Sequence, residues 1–428
     1  MSKNNENKLV PNLRFPEFIR EGDWKILPLS ELSNEITEKT KGRKFKLMSI
    51  TSGVGLVSQI EKFGKEIAGN SYDNYYVLSK GDFAYNKSST KLYPEGEIAM
   101  LEKEENGAVP NSIFTCFSFD KNKIYPNFAK YPFINNMHGR WLKKFISVGA
   151  RAHGALQVNS KDLFSIPFPY PSIKEQQKIA SCLSSLDEVI TAESQKLEML
   201  KDHKKGLLQN LFPQEGETVP KLRFKEFEGS GEWLSDILKN VFTIFQGFAF
   251  SSNDSVSTGV RWLKIADVGI QQMNHLSPSY LPYEFKEKYE NFLVKEGDYV
   301  IALTRPILNK KLKISKVDNT LHDSLLNQRV GKLVSNKCID FVYYLIQTSK
   351  LVSSIEQNIA GSEPPNLSAQ QIENIEVFIP PTIKEQQKIA SCLYSIDELI
   401  NAQNQKLETL KLHKKGLLQG LFPGVNET

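Results

Sequence analysis

The sequence predicts an α+β protein in which two domains of mixed α/β structure are separated by two long helices that form an antiparallel coiled coil. Three observations lead to this fold class. The chain has 428 residues, more than one hydrophobic core usually serves. A helical segment in the middle of the chain is repeated near its end. Each copy follows a long insert with short strand and helix patterns. The duplication also predicts approximate two-fold symmetry.

The composition is that of an ordinary globular protein, with 40% hydrophobic and 24% charged residues. A net charge of +5 is too small to indicate a nucleic-acid partner by itself. No apolar run approaches the roughly 18 residues of a membrane span, so we expect no membrane association. The cysteines have no metal-ligand or disulfide spacing, which predicts no metal site and favours a reduced, cytoplasmic setting. They are Cys116, Cys182, Cys338 and Cys392.

The repeat defines the domain boundaries. Ile173 to Pro213 recurs without gaps as Ile383 to Pro423, with about four positions in five identical. A weaker repeat opens each half, where VPNLRFPEF and VPKLRFKEF are each followed by a tryptophan, Trp24 or Trp233. The inserts barely agree, which suggests one frame carrying two different activities or specificities. The predicted segments are a first domain (1–171), a first spacer helix (172–213), a second domain (214–381) and a second spacer helix with a tail (382–428).

The repeated segment carries helix start signals and a heptad pattern. Ser172 and Thr382 lie three residues before Glu175 and Glu385, the spacing of a capping box. Apolar residues then alternate at spacings of four and three, which predicts a coiled-coil seam. The first helix contributes Ile179, Leu183, Leu186, Ile190, Leu197, Leu200, Leu207 and Leu211, and the second contributes Ile389, Leu393, Ile396, Ile400, Leu407, Leu410, Leu417 and Leu421.

The polar residues within the seam suggest a register for the antiparallel pair. Glu193 and Lys204 occupy core positions of the first helix, and Gln403 and Lys414 occupy core positions of the second. Centring the symmetry axis between Leu197 and Leu200 places Glu193 opposite Lys414, and Lys204 opposite Gln403. Buried polar pairs of this kind can fix a register at some cost in stability.

The inserts share only short structural patterns. Tyr76 to Tyr85 and Phe292 to Ile301 each predict two strands joined as a hairpin around a Gly-Asp turn. Helices are predicted from Pro126 to Ile146 and from Phe341 to Ile359. Loops rich in polar and basic residues follow each of these patterns.

The twin KEQQKIASCL and HKKGLLQ helices, which border two variable regions, resemble those of the specificity (S) subunit of Type I restriction-modification systems. The resemblance implies that each insert is a target recognition domain that reads one half of a split site in double-stranded DNA. It implies that the helices act as a spacer and dock two methyltransferase (modification) subunits, with two restriction subunits joining the complex. S-adenosylmethionine, ATP and magnesium would then bind the partner subunits, and this chain would bind no cofactor.

The loops of the two inserts supply the candidate DNA contacts, because Arg, Asn, Lys, Ser and Thr side chains are typical partners of base edges and phosphates. In the first domain the candidates are Asn86, Lys87, Ser88, Ser89, Lys91, Arg151 and His153. In the second domain they are Thr304, Arg305, Asn309, Lys310, Lys311, Arg329, Ser362 and Asn366.

The sequence lacks the glycine-rich phosphate loop of ATP-driven enzymes and the glycine-rich and Pro-Pro motifs of adenine methyltransferases. We therefore expect a chain without catalytic residues, and we expect it to supply DNA specificity. Two alternatives stay open at this point. One is the specificity subunit of a combined cleavage-methylation system outside Type I. The other is a coiled-coil scaffold that joins two protein-binding domains and does not read DNA.

Overall fold

The computed structural model of the chain describes residues 9–67, 71–146, 156–359 and 364–424. Its internal contacts divide the chain into two units. Unit 1 comprises Met1–Ser194 and Gln405–Thr428, and unit 2 comprises Gln195–Asn404. Each unit therefore contains one insert domain together with part of both long helices.

The first domain and the helix that follows it contain ten strands and six helices within the described residues. The strands are β1 (Lys25–Pro28), β2 (Ser33–Glu35), β3 (Met48–Thr51), β4 (Gly55–Ser58), β5 (Tyr76–Ser79), β6 (Phe83–Asn86), β7 (Glu97–Met100), β8 (Asn106–Val109), β9 (Phe114–Phe119) and β10 (Pro167–Tyr170). The helices are α1 (Leu29–Leu32), α2 (Gln59–Phe63), α3 (Pro126–Ile134), α4 (Met137–Leu142), α5 (Ser160–Phe164) and α6 (Ile173–Asn210).

The second half of the chain is built in the same order. Its strands are β11 (Leu234–Ile237), β12 (Thr243–Gln246), β13 (Val260–Leu263), β14 (Tyr280–Leu281), β15 (Leu293–Val294), β16 (Tyr299–Ala302), β17 (Ile307–Leu308), β18 (Lys311–Leu312), β19 (Ile314–Lys316), β20 (Ser324–Leu326), β21 (Val330–Val334) and β22 (Glu376–Ile379). Its helices are α7 (Leu238–Val241), α8 (Phe285–Lys288), α9 (Ile339–Leu345), α10 (Ser349–Ile359), α11 (Ala369–Ile372) and α12 (Ile383–Gly420).

A four-stranded antiparallel sheet lies at the centre of each domain. Its strand order is β2-β9-β6-β7 in unit 1 and β12-β21-β16-β19 in unit 2, so the two sheets share one topology. The side chains of β6 and β16 are almost all buried, because helices cover one face of each central sheet. The other face packs against two-stranded sheets in unit 1 and against a second four-stranded sheet, β14-β13-β20-β15, in unit 2. The prediction of two domains with mixed α/β structure is confirmed.

The predicted hairpins around Gly81-Asp82 and Gly297-Asp298 are wrong in their pairing. Strands flank both turns, but β5 pairs with β8, whereas β6 pairs with β7 and β9. Likewise, β15 pairs with β20, and β16 pairs with β19 and β21. In both turns the glycine adopts positive φ and the aspartate accepts a backbone N–H from three residues earlier. The turn therefore passes the chain from one sheet to another.

The two predicted insert helices are each broken into two. In unit 1, Asn136 between α3 and α4 has a left-handed backbone with φ 54°, which ends one helix before the next begins. In unit 2, α9 ends at Leu345, whose carbonyl accepts the Thr348 hydroxyl at 2.8 Å, and α10 starts directly afterwards.

The long helices α6 and α12 run antiparallel, as predicted. In unit 1, Asp187 pairs with Lys414 and Glu193 pairs with Lys406, both at 2.5 Å. Residue numbers thus rise along α6 as they fall along α12. Every predicted seam position is buried or partly buried. Each helix has 38 residues, and its two ends lie in different units.

The predicted register of the helix pair is wrong. Lys414 pairs with Asp187 in place of Glu193, and the equivalent lysine in unit 2, Lys204, pairs with Asp397 at 2.5 Å. These aspartates also accept hydrogen bonds from buried tyrosines of the insert domains. The heptad pattern records only the spacing of residues along one helix. It could not show that tyrosines of the insert domains and lysines of the opposite helix would meet at aspartates outside the apolar seam.

The repeated opening motifs anchor each domain to the start of the helix that follows it. Arg14 donates two hydrogen bonds to the Glu175 carboxylate, at 2.8 and 2.7 Å, and the Trp24 indole N–H donates a third at 3.3 Å. Arg223 and Trp233 make the same contacts with Glu385.

This arrangement corrects the predicted capping boxes. The Ser172 and Thr382 hydroxyls do accept the backbone N–H groups of Glu175 and Glu385. The two carboxylates, however, bind arginine and tryptophan and do not return to the helix start.

The residues that directly follow each long helix complete a hydrophobic core. In unit 1, Phe422 packs against Trp24 and Phe128, with ring centroids 6.1 and 5.4 Å apart. In unit 2, Phe212 packs against Trp233 and Phe341 at 6.1 and 5.4 Å. Each domain core is therefore closed by the helix from the other half of the sequence.

The four cysteines are free thiols. Within the described ranges, no helix is both long enough and apolar enough to cross a membrane.

Candidate nucleic-acid interface

In unit 2, three separate segments meet at the end of strand β16. The N–H of Leu303 donates to the carbonyl of Arg329 at 2.9 Å, and the carbonyl of Leu303 accepts the N–H of Leu367 at 2.7 Å. One residue further on, the Thr304 hydroxyl donates to the Asn366 side-chain carbonyl at 2.8 Å. The structure thus brings together Thr304, Arg305, Arg329 and Asn366, which are far apart in the sequence.

Arg305 and Arg329 present exposed side chains from rigid backbone at this site. Arg305 has a left-handed backbone with φ 48°, and its N–H donates to the Pro365 carbonyl at 2.8 Å. The N–H of Arg329 donates to the Asn327 side chain at 2.9 Å, which forms a tight turn before β21. A guanidinium held in this way can donate two hydrogen bonds to the guanine edge in the major groove. Arg329 therefore lies in a turn and not within a strand.

The remaining predicted cluster of unit 2 forms a small hairpin. Strands β17 and β18 pair antiparallel, and the two residues between them, Asn309 and Lys310, both have positive φ. Two left-handed residues in a two-residue loop define the turn that best fits the twist of a hairpin. Asn309, Lys310 and Lys311 are exposed.

This hairpin borders a groove of about 1150 Å³ that α6 also lines. Lys310 and Lys311 of the hairpin and Lys204 and Lys205 of α6 all line this groove. The candidates of unit 2 therefore form two groups: one at the end of β16, and one on the hairpin beside the helices.

Unit 1 repeats the β16 arrangement at the end of β6 with different side chains. The N–H of Lys87 donates to Ile113, and the carbonyl of Lys87 accepts the N–H of Leu156 at 2.7 Å, as Leu303 does with Leu367. The Asn86 side chain accepts the N–H of Ser88 at 3.0 Å, which shapes the turn. Asn86, Lys87, Ser88 and Ser89 are partly exposed, and Lys91 is exposed.

The turn between β3 and β4 adds residues that the sequence did not single out. Ser52 and Thr90 share a hydrogen bond of 3.0 Å between their hydroxyls, which joins this turn to the loop of Lys87 to Lys91. Val54 and Leu92 are exposed beside them, and a side chain at Gly53 would meet Leu92. Gly53 has a positive φ, which glycine adopts readily. The Ser-Gly pair at 52–53 was therefore the feature of the sequence that could have predicted this turn.

A buried carboxyl group supports this turn from below. Glu97 accepts the N–H of Gly53 at 3.2 Å with one oxygen, while its other oxygen is buried without a hydrogen-bond partner in the described structure. Burial raises the pKa of Glu97, because removal from water disfavours the charged form. The turn is therefore held by a group that loses its charge more readily than an exposed glutamate.

Three predicted contacts, Arg151, His153 and Ser362, lie outside the described residues. Within the described part of the chain, no group of three His, Cys, Asp or Glu side chains is placed to hold a metal ion.

The duplicated frame, with different side chains at equivalent strand ends, defines a protein with two related but non-identical recognition domains. Both copies match the Type I restriction modification DNA specificity domain, over residues 21–202 and 231–412. Because these matches cover most of the chain, the chain belongs to this family and is a DNA sequence-specificity subunit.

Individual relatives agree with the family match. The chain is 30% identical to the Type I restriction enzyme MjaVIII specificity subunit of Methanocaldococcus jannaschii over 66% of this chain and 67% of that protein. It is 29% identical to the EcoAI specificity subunit of Escherichia coli over 45% of this chain and 32% of that protein. The crystal structure of the S subunit from M. genitalium shares the fold, with a TM-score of 0.58 and 14% identity over 98% of this chain and 100% of that chain.

Proposed function

We propose that this chain reads an asymmetric, bipartite site in double-stranded DNA, with one half-site bound by each domain. One observation carries the proposal. The ends of β6 and β16 have equivalent positions in the shared sheet, with Lys87 matching Leu303, yet the next two residues are Ser88 and Ser89 in unit 1 and Thr304 and Arg305 in unit 2. A common frame with different base-reading groups should select a different sequence in each half-site.

The exposed groups divide into two expected roles. Arg305, Arg329, Asn86 and Asn366 read base edges, since arginine matches guanine and the amide side chain matches adenine. The lysines contact phosphates, which position the protein without reading sequence. A wrong base pair typically costs about 1 to 3 kcal/mol, so a few readable bases in each half-site give strong discrimination.

The chain supplies specificity, and its partner subunits supply the chemistry. We propose that the helices dock two methyltransferase subunits, which use S-adenosylmethionine, and that two restriction subunits complete the complex with ATP and magnesium. The chain itself has no catalytic role and works in the cytoplasm. Membership of the Type I family favours this assembly over a scaffold that does not read DNA.

The test replaces Arg305 with alanine in the full chain assembled with its methyltransferase subunits. Binding is measured against a DNA library in which each position of both half-sites is varied. The Arg305→Ala change should weaken binding about tenfold to a hundredfold and should relax the preference at one or two positions of one half-site only. Asn86→Ala should act on the other half-site.

Arg20→Ala is the matched control, because Arg20 is an exposed arginine next to the opening motif of unit 1 and is not one of the candidate DNA contacts. It should leave every base preference intact. If Arg305→Ala lowered binding to all library members equally, Arg305 would have no reading role. If the wild-type complex preferred no sequence, the DNA-reading function would be excluded.

A further inference from the structure

Unit 2 contains a turn that links its recognition domain directly to the helix pair. The turn, here called the Gln271 turn, runs from Gly269 to Gln272 and is closed by a bridge between Val268 and Met273. Its tip carries Gln271, a non-glycine residue with a left-handed backbone of φ 61°. Such a conformation is disfavoured for a side chain with a Cβ atom, so surrounding contacts must hold it.

The backbone of the Gln271 turn is fixed to the sheet that carries the reading loops. The N–H of Gln271 donates to the carbonyl of Ile314 in β19 at 2.8 Å. The buried Ser315 hydroxyl lies 2.7 Å from the Gln272 carbonyl and 3.1 Å from the Gly269 carbonyl. Since Ile314 pairs with Ile301 in β16, the turn is held by a strand adjacent to the one that leads to Arg305.

The side chain of Gln271 faces the other way, toward the helices. Its carbonyl oxygen accepts the Lys204 ammonium group of α6 at 2.9 Å, and its amide donates to the Gln347 side chain. Lys204 also pairs with Asp397 of α12, which accepts the Tyr344 hydroxyl at 2.8 Å. One side chain therefore connects the reading sheet to a buried polar cluster shared by both helices.

Unit 1 has the same cluster without this link. Lys414, Asp187 and Tyr131 repeat the ammonium, carboxylate and hydroxyl groups. Among the described residues, no amide of the first domain contacts Lys414. The Lys414 side chain is accordingly 20% exposed, against 7% for Lys204. The Gln271 contact is thus an addition of the second domain and not a requirement of the helix pair.

We propose that Gln271 is a positioning residue that fixes the orientation of the second domain on the helices and thereby sharpens discrimination of the spacer between the two half-sites. This inference rests on the proposed bipartite function. The left-handed backbone at Gln271 holds a side chain that joins two parts of unit 2. One part is the helices, which set the half-site spacing, and the other is β19 and β16, which lead to the loops that read DNA. Loss of the contact lets the domain rock and tolerate other spacers without a change in the bases it reads.

The test uses Gln271→Gly in the full chain assembled with its methyltransferase subunits. Glycine adopts the left-handed conformation readily, so the substitution removes the side-chain contacts and keeps the turn. Binding is measured on DNA with the preferred spacer and with spacers one base pair longer and shorter. The ratio of affinities should fall about tenfold, while base preferences within both half-sites and the thermal unfolding of the chain stay unchanged.

Two further variants sharpen the test. Gln271→Glu keeps an oxygen acceptor for Lys204 and should retain most of the spacer discrimination. Lys41→Gly is the backbone control, because Lys41 is an exposed left-handed residue in unit 1. It should leave the ratio at its wild-type value.

The outcomes separate this inference from the function on which it rests. A wild-type spacer ratio in Gln271→Gly would overturn the positioning role. Altered base preferences with an unaltered ratio would also overturn it, because Gln271 would then act on the reading loops alone. A wild-type complex that binds all spacers equally would instead reject the bipartite function itself.

Discussion

Unit 1 and unit 2 attach their insert domains to the repeated sequence through the same two sets of contacts. The opening arginine and tryptophan bind the first helical glutamate in both, through Arg14 and Trp24 with Glu175 and through their counterparts in unit 2. The tyrosine, aspartate and lysine cluster also occurs twice. The two copies have therefore kept the residues that attach a domain to the helices, because those contacts serve any insert.

The units differ in other loops and turns of their inserts, one of which adds a contact with the helices in unit 2. The Gln271 turn and the β17–β18 hairpin of unit 2 contrast with the loop of unit 1 in which Ser52 contacts Thr90. Unit 1 also contains a fully buried histidine, His138, whereas the histidines of unit 2 are exposed. The two units thus share the attachments that hold each domain on the helices and differ in the loops and turns around them.

The largest expected effect tests whether the two attachments are equivalent. Glu175→Ala and Glu385→Ala should each cost about 3 to 5 kcal/mol of unfolding free energy, because each leaves a buried arginine without its charge partner. The two losses should agree within about 1 kcal/mol, because the two ion pairs have the same partners and similar burial. Urea unfolding of the full chain measures both.

Exposed ion pairs of the same motif provide the control. Lys178 pairs with Glu17, and Lys388 pairs with Glu226, each at 3.2 Å with half-exposed side chains. Lys178→Ala and Lys388→Ala should each cost less than about 1 kcal/mol. A large difference between Glu175→Ala and Glu385→Ala would show that the two frames are not equally stable.

The second effect is specific to unit 1 and depends on pH. Burial lowers the pKa of His138 to about 4, from 6.5 for an exposed imidazole. Its Nε2–H donates to the Gly96 carbonyl at 2.9 Å, and the lowered pKa keeps the native ring neutral at neutral pH. Between about pH 6.5 and pH 4, the unfolded chain binds a proton at this histidine and the native chain does not. The free energy of unfolding therefore decreases as the pH is lowered through this range. The loss approaches about 3 kcal/mol.

Thermal unfolding of wild type and His138→Gln across this pH range measures the effect. The wild type should lose stability faster on acidification than the variant, because glutamine does not titrate. The comparison isolates His138 from Glu97, whose raised pKa acts in the opposite direction in both proteins. Parallel pH curves would show that His138 contributes no acid sensitivity.

The smallest effect compares the two tyrosine clusters. Tyr131→Phe and Tyr344→Phe each remove a buried hydroxyl that donates to a partly exposed aspartate, and each should cost about 1 to 3 kcal/mol. The loss should be larger for Tyr344→Phe, because the lysine of that cluster is more deeply buried. Urea unfolding measures both, and a larger loss for Tyr131→Phe would contradict the burial argument.

Several features of the fold could be predicted from the sequence because their signals are local or repeated. The heptads of α6 and α12 predicted the two helices and their burial, and the capping residues located the helix starts within one residue. The loops after β6 and β16 were located by the turn residues that precede them. The assembly of Arg305, Arg329 and Asn366 could not be predicted, because it depends on hydrogen bonds between strands that are distant in the sequence.

The sequence alone determined that this protein has two frames of one kind, two different inserts and a pair of long helices, since duplication and periodicity are properties of the chain. Only the tertiary structure decided which residues meet. It assigned Glu175 to Arg14 and not to the helix start, and Lys414 to Asp187 and not to Glu193. The physical reason is that a buried charge takes the partner that the packing of other elements places beside it, and spacing along one helix contains no record of that packing.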